Sequence, residues 1–146
     1  MYYVNREQIA VRLNAIPDIS EALTSIAAEW NGSMLQGLAQ ERALHLAVET
    51  VTDVGSYLID GFMMRDASSY EDIVDVTGAE GVFSAELLPT FKQLVQLRRP
   101  LVQQYYEWQR GELHPLTSQL APQLLRFKQE VELYLERELV DFEGKV

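Results

Sequence analysis

The chain has 146 residues, 47% of them hydrophobic and 23% charged, with a formal net charge of −10. That length and apolar share suit a single domain, 1–146, with a buried core, while the acidic balance disfavours general binding to polyanions. The absence of cysteine excludes disulfides, thiolate metal sites and thiol nucleophiles, and no apolar run approaches the roughly 20 residues needed to cross a bilayer.

From the N-terminus, Met1-Tyr2-Tyr3-Val4-Asn5-Arg6-Glu7 carries no charged-then-apolar export pattern, so a cytoplasmic location is the default expectation. Ile9, Leu13, Ile16, Leu23, Ile26 and Trp30 outline a first amphipathic helix, which Pro17 should kink or briefly interrupt. Asn31-Gly32-Ser33 reads as a break. A second helix follows, free of proline from 34 to 64, with Leu44, Val51 and Leu58 seven apart and Ala47, Val54 and Phe62 between them. That is the stripe of a helical bundle. Gly55 in its middle costs about 1 kcal/mol relative to alanine, which predicts close approach by a neighbouring helix.

Ser68 with Glu71 three residues on has the spacing of a capping box opening a short helix that ends near Gly78. Gly81 marks a turn, and Ser84 with Glu86 starts another helix. Its stripe runs Leu88, Phe91, Val95, Arg98, Val102, Tyr105, which places Arg98 and Tyr105 on the apolar face. The last helix should begin near Glu112, with Leu113, Leu116, Leu120, Leu124, Phe127, Val131 and Tyr134 as its stripe, Pro115 near its start and Pro122 inside. Residues 141–146 read as a frayed tail. Four long helices and a short one make an all-α, up-and-down bundle.

The polar candidates cluster late in the chain. From Glu41 to Glu86 there are ten acids against Arg42 and Arg65, whereas Lys92, Arg98, Arg99 and Arg110 face only Glu107. This is either ordinary surface variation or a local anion-facing patch. An arginine on a helix stripe snorkels to the edge, pairs with a carboxylate such as Asp53 or Asp60, or lies in a polar cleft where it can face a phosphate. Arg98 and Gln103 would project about 140° apart on a straight helix. Pro100 between them removes the backbone bond to Gln96, and the resulting kink can change that angle. Glu41, His45, Glu49 and Asp53 step by four along the second helix. They suit a solvated or interface face better than a metal site, since no Glu-x-x-His pair repeats on two helices. Gly78-Ala79-Glu80-Gly81 is a turn rather than a phosphate loop, and no nucleophile elbow occurs. Tyr105, Tyr106 and Trp108, interleaved with basic residues, either stack bases or close the bundle.

Several blocks in order carry a resemblance. They are Glu41-Arg42-Ala43-Leu44-His45-Leu46-Ala47-Val48-Glu49, then Asp53-Val54-Gly55, Asp60-Gly61-Phe62, Arg65-Asp66, Ser69-Tyr70-Glu71-Asp72-Ile73, and Leu97-Arg98 with Leu101-Val102-Gln103-Gln104-Tyr105. Across roughly 37–106 the chain resembles the HepT-like toxins of the HEPN superfamily. The resemblance implies a helical bundle that forms homodimers with the cleft near the dimer axis. It also implies metal-independent RNA cleavage without a cofactor, and a minimal nucleotidyltransferase antitoxin that adds nucleotide to the motif tyrosine. The family motif is an arginine, four residues, a histidine, one residue and a tyrosine. By position Arg98 maps to the catalytic arginine, Tyr105 to the modified tyrosine and Gln103 to the catalytic histidine. A glutamine amide cannot take up and return a proton near neutrality as imidazole does. The expectation is therefore a weakened or inactive ribonuclease, or alternatively a non-catalytic homodimeric interaction or nucleotide-binding module. His45 and His114, the two histidines present, lie off the motif spacing and could replace the lost group only through space.

Overall fold

A computed structural model describes residues 3–143, with side chains through 139. Seven α-helices and no strands occur among the described residues: α1 (Arg6–Leu13), α2 (Ile16–Ala28), α3 (Met34–Gly61), α4 (Tyr70–Ala79), α5 (Leu88–Gln96), α6 (Arg98–Val102) and α7 (Pro115–Glu143). The all-α expectation holds. None of these helices is long and apolar enough to cross a membrane.

The first predicted helix is divided at Asn14-Ala15, because Pro17 occupies the first turn of α2, where its missing N–H breaks no bond. Trp30, placed on that stripe by sequence, lies beyond the end of α2. Ser33 caps α3 by accepting from the Gln36 N–H at 3.2 Å. Leu44, Ala47, Val51, Val54 and Leu58 of α3 are buried together with Ile9, Leu13 and Leu23 from the N-terminal helices and Leu120, Leu124, Phe127 and Val131 from α7. Phe83, Phe91 and Phe127 meet edge-to-face with centroids 5.2–5.9 Å apart, a favoured arrangement of ring quadrupoles.

The start of α4 is shifted by one residue from the predicted capping box. Ser69 is the N-cap and accepts from the Asp72 N–H at 3.0 Å. The Asp72 carboxylate reaches back to the Ser68 N–H at 2.9 Å and receives both guanidinium nitrogens of Arg65 at 2.8 and 2.9 Å. The shorter acid wins this place because the arginine holds it there. Glu71 is left to face Lys92 at 3.6 Å. The α7 helix begins at Pro115 rather than near Glu112, so Leu113 falls outside it; proline at the first helical position fits the same logic as Pro17. Pro122 is exposed within α7. Helix continues through Glu143, so the expected tail is helical over 141–143, and 144–146 lie outside the described residues.

Gly55 is where α4 crosses α3: a Cβ there would overlap Ile73 Cγ2. The β-branched Ile73 cannot swing that methyl aside freely, and it is only 8% exposed. Overpacking costs about 1–3 kcal/mol while helix propensity returns about 1 kcal/mol. Gly55→Ala should therefore lower stability by up to about 2 kcal/mol in chemical denaturation, against the usual sense of a glycine-to-alanine change in a helix.

Candidate functional site

The helix predicted to run through Tyr105 breaks twice. Pro100 has no N–H for the Gln96 carbonyl, and α5 ends at Gln96. The chain resumes as α6, where the Leu101 N–H reaches the Leu97 carbonyl at 2.9 Å and Pro100 occupies the first turn. After Val102 a short 3-10 turn, Tyr105–Glu107, follows. Arg98 and Gln103 thereby line one groove of about 540 Å³, together with Arg99, Gln96 of α5 and Ser69, Tyr70 and Glu71 at the start of α4. Tyr105 is not on an apolar face; it is 58% exposed, beside Tyr106 at 72%. These two rings touch each other edge-to-face at 5.7 Å, so the reading in which they close the bundle is corrected. Trp108 alone packs against the core.

Arg98 is half-buried. Its guanidinium carbon lies over the Tyr70 ring, 4.1 Å from the centroid, a cation–π contact that needs no acceptor. It pairs with neither Asp53 nor Asp60. Asp53 is held by Arg12 at 3.1 Å, and Arg98 Nε instead sits 3.8 Å from Glu49 Oε1. That separation gives attraction without a hydrogen bond, and Arg98 Nε is buried with no hydrogen-bond partner. A buried guanidinium N–H without a hydrogen-bond acceptor is costly.

The predicted basic patch is smaller than its residue count suggests. Lys92 is bound by Asp75 at 3.2 Å, and Arg110 by Glu41. Arg99 is exposed, and no ion pair to it forms among the described residues. Of the four cations of the predicted patch, Arg98 and Arg99 are therefore the two without a short ion pair among the described residues. The carboxylate ladder on α3 is likewise used up by pairing: Glu41 with Arg110, His45 with Glu49 and Asp53 with Arg12.

Neither histidine enters the groove lining. His45 Nδ1 lies 3.3 Å from Arg42 Nη1, and its Nε2 lies 3.2 Å from Glu49 Oε1. Since the guanidinium can only donate, Nδ1 accepts and Nε2–H donates to Glu49. His45 thus lies one carboxylate away from Arg98, with its basic nitrogen already engaged. His114 Nδ1 accepts from the Leu116 N–H at 3.0 Å, and its ring stacks on Trp108 at 5.7 Å. Sequence reasoning missed Tyr70 and Glu49 as neighbours of Arg98. Tyr70 had no local signal, because its contact spans two helices; Glu49 stood in the ladder, but its facing arginine did not show there.

The family model for HepT-like ribonucleases matches residues 12–131. YutE of Bacillus subtilis (strain 168), which bears the provisional name of an RNase, is 37% identical over 139 residues, spanning 95% of each chain. A solved structure of YutE, described as a cytosolic protein of unknown function, superposes with a TM-score of 0.84 at 35% identity. It covers 95% of this chain and 96% of that one.

Burial pushes the His114 ring below its ordinary value, and protonation would also displace the Leu116 N–H from Nδ1. A folded-state value below the unfolded one means that stability is fully present above about pH 6.5 and is lost as pH falls through the folded value. Histidine-resolved NMR should place the His114 midpoint below 6.5, with Nε2–H as the neutral tautomer.

Proposed function

The chain belongs to the HepT-like ribonuclease family, and on that premise we propose that the groove between α4, α5 and α6 is an RNA-cleaving site of reduced acid–base power, in a toxin restrained by an antitoxin. The observation that carries this reading is the buried, unsatisfied Nε–H of Arg98 at the edge of a groove that also holds Arg99 and Gln103. A phosphate oxygen would satisfy that N–H and meet two guanidinium groups already in place. Tyr70 beneath Arg98 keeps the cation from collapsing onto a carboxylate. Charge fixed in advance where negative charge develops is the form of help that a phosphorane needs.

Gln103 reaches the same groove, but its amide can only orient the ribose 2′-hydroxyl or the leaving oxygen. It cannot carry the proton between them. His45 is held between Arg42 and Glu49, which argues against its taking over. Loss of general acid–base help costs about 10²–10⁴ in rate. Cleavage is proposed to need no metal, as the family resemblance implies, and to occur in the cytoplasm in a homodimer whose two grooves flank the dimer axis. Tyr105 is the proposed target of a minimal nucleotidyltransferase partner. Its phenol oxygen would attack the α-phosphorus of a nucleoside triphosphate, with pyrophosphate leaving and the phenol proton passing to solvent. The exposure of Tyr105 supports this, because a modified hydroxyl must be reachable. Gln103 favours one second reading, a catalytically quiet homodimer that binds a partner or a nucleotide through the same cations.

Cleavage of single-stranded RNA by the purified chain separates the two. Under the first reading Gln103→His raises the rate by about 10²–10⁴, and Arg98→Ala removes what activity there is. No cleavage by the histidine variant favours the quiet module. Robust native cleavage untouched by Arg98→Ala refutes the assignment of the groove.

A further inference from the structure

A second concavity of about 340 Å³ lies between the end of α6 and the start of α7, lined by Pro100, Gln104, Glu107, Trp108, Glu112 and His114 among others. Nothing in the reading above uses it. One side is aromatic: the Trp108 and His114 rings stack on each other, 23° from parallel with centroids 5.7 Å apart. The polar groups around it include two carboxylates and the Gln104 amide, and no cation lines it. Neither carboxylate forms an ion pair among the described residues; the Glu112 backbone carbonyl, not its side chain, is bonded to Gln40. Such a lining repels phosphate and accepts a flat group whose edge carries N–H donors.

The wall is also built before any ligand arrives. Gln40 of α3 is fully buried. Its Oε1 accepts from the His114 N–H at 2.8 Å and the Thr117 hydroxyl at 2.7 Å, and its Nε2 donates to the Glu112 carbonyl at 3.0 Å. Gly37 lets the Arg110 carbonyl lie directly on α3, where any Cβ would overlap it. Arg110 then clamps Glu41. The loop between α6 and α7 is thus fixed by a satisfied buried amide and a close backbone contact, so little ordering remains for a ligand to supply.

We propose that this concavity takes an unpaired guanine base of the RNA whose phosphate sits at Arg98, so that cleavage is directed to single-stranded, guanine-containing sequence. The inference rests on the RNA reading for the occupant's source, and on the wall's own chemistry for its identity. Guanine alone presents two adjacent donors, N1–H and N2–H₂, on its Watson–Crick edge, and a carboxylate accepts both as a pair. Uracil offers a single donor flanked by acceptors that a carboxylate repels; adenine and cytosine offer one amine beside an acceptor. Unpaired bases are read in this way, on an aromatic face with side chains on the Watson–Crick edge. Placement agrees: the cation groove and this concavity are lined by adjoining residues, Arg99 and Pro100 in α6 and Gln103 and Gln104 just beyond it, so the proposal puts phosphate and base of one strand on either side of this segment.

The test is nucleoside binding to the intact chain, read by Trp108 emission and His114 NMR shifts, with Trp30→Phe removing the other tryptophan. Guanosine should bind about tenfold more tightly than adenosine, cytidine or uridine, and Glu107→Gln with Glu112→Gln should erase that preference. Arg98→Ala should leave guanosine binding unchanged while weakening binding of a short guanine-containing RNA. Equal binding of all four nucleosides, preferential binding of choline as an organic cation, or no response of Trp108 at millimolar guanosine would each overturn the proposal. Guanosine preference without RNA cleavage by the native or Gln103→His chain supports the concavity while refuting the ribonuclease reading. Cleavage with no guanine preference refutes the concavity alone.

Discussion

The missing N–H of Pro100 is the constraint on which the groove depends. A continuous helix from Leu88 to Tyr105 would be the cheapest way to write this stretch, and its apolar stripe is suited to it. Proline forbids that solution because the Gln96 carbonyl would have no donor and would collide with the ring. The chain responds by ending α5 at Gln96 and starting again at Arg98. The new start turns Arg98, Arg99 and Gln103 toward α4 and frees Tyr105 from the core. Without the break, Arg98 and Gln103 would diverge by about 140°, and the groove would lose one of its walls.

Ion pairing sets Arg98 apart from most of the other cations. Lys92, Arg65, Arg110 and Arg126 each sit within a salt bridge of 3.2 Å or less, which is how an acidic chain absorbs its few bases. Arg98 has only a distant carboxylate and an aromatic face. Glu49 at 3.8 Å lowers the cost of bringing the charge inward, but its acceptor is shared with His45 Nε2. Tyr70 offers attraction without saturating any N–H. The side chain is thus held without being satisfied. Such a spot suits the proposed contact between an acidic protein and RNA, since close contacts between desolvated groups outweigh a screened net charge about 10 Å or more away.

Much of this was legible in the sequence, and the limits have physical causes. The α3 helix announced itself because 28 residues without proline repeat one stripe, and periodicity is a local property. Gly55 pointed to a close helix for the same reason, since a glycine inside so regular a pattern needs a return. The interruption near Pro17 was readable; its placement in a helical first turn was not, because that depends on where the preceding turn ends. The cap of α4 slipped by one residue because two acids, Glu71 and Asp72, compete for the same role and a distant Arg65 decides between them. Arg98 was visible as an oddity on a stripe. What faces it, Tyr70 and Glu49, came from other helices, and no spacing along one helix carries that information.

Gln40 illustrates the other half of the problem. In sequence it is an ordinary amide on the flank of a helix, unmarked by charge or periodicity. In the fold it is fully buried and bonds to three groups around the start of α7. An amide suits this place because it brings an acceptor and a donor on one planar group: two donors converge on its oxygen while its nitrogen serves a carbonyl. A carboxylate would leave the Glu112 carbonyl without a donor, and leucine would strand all three partners at roughly 1–3 kcal/mol each. The bundle's stripes therefore determine that α3 and α7 pack, but a single buried amide determines how the chain enters α7. That entry sets the positions of Trp108 and His114 beside α6. Packing periodicity specifies the scaffold, while isolated polar groups, hard to see in sequence, specify the surfaces on which chemistry can occur.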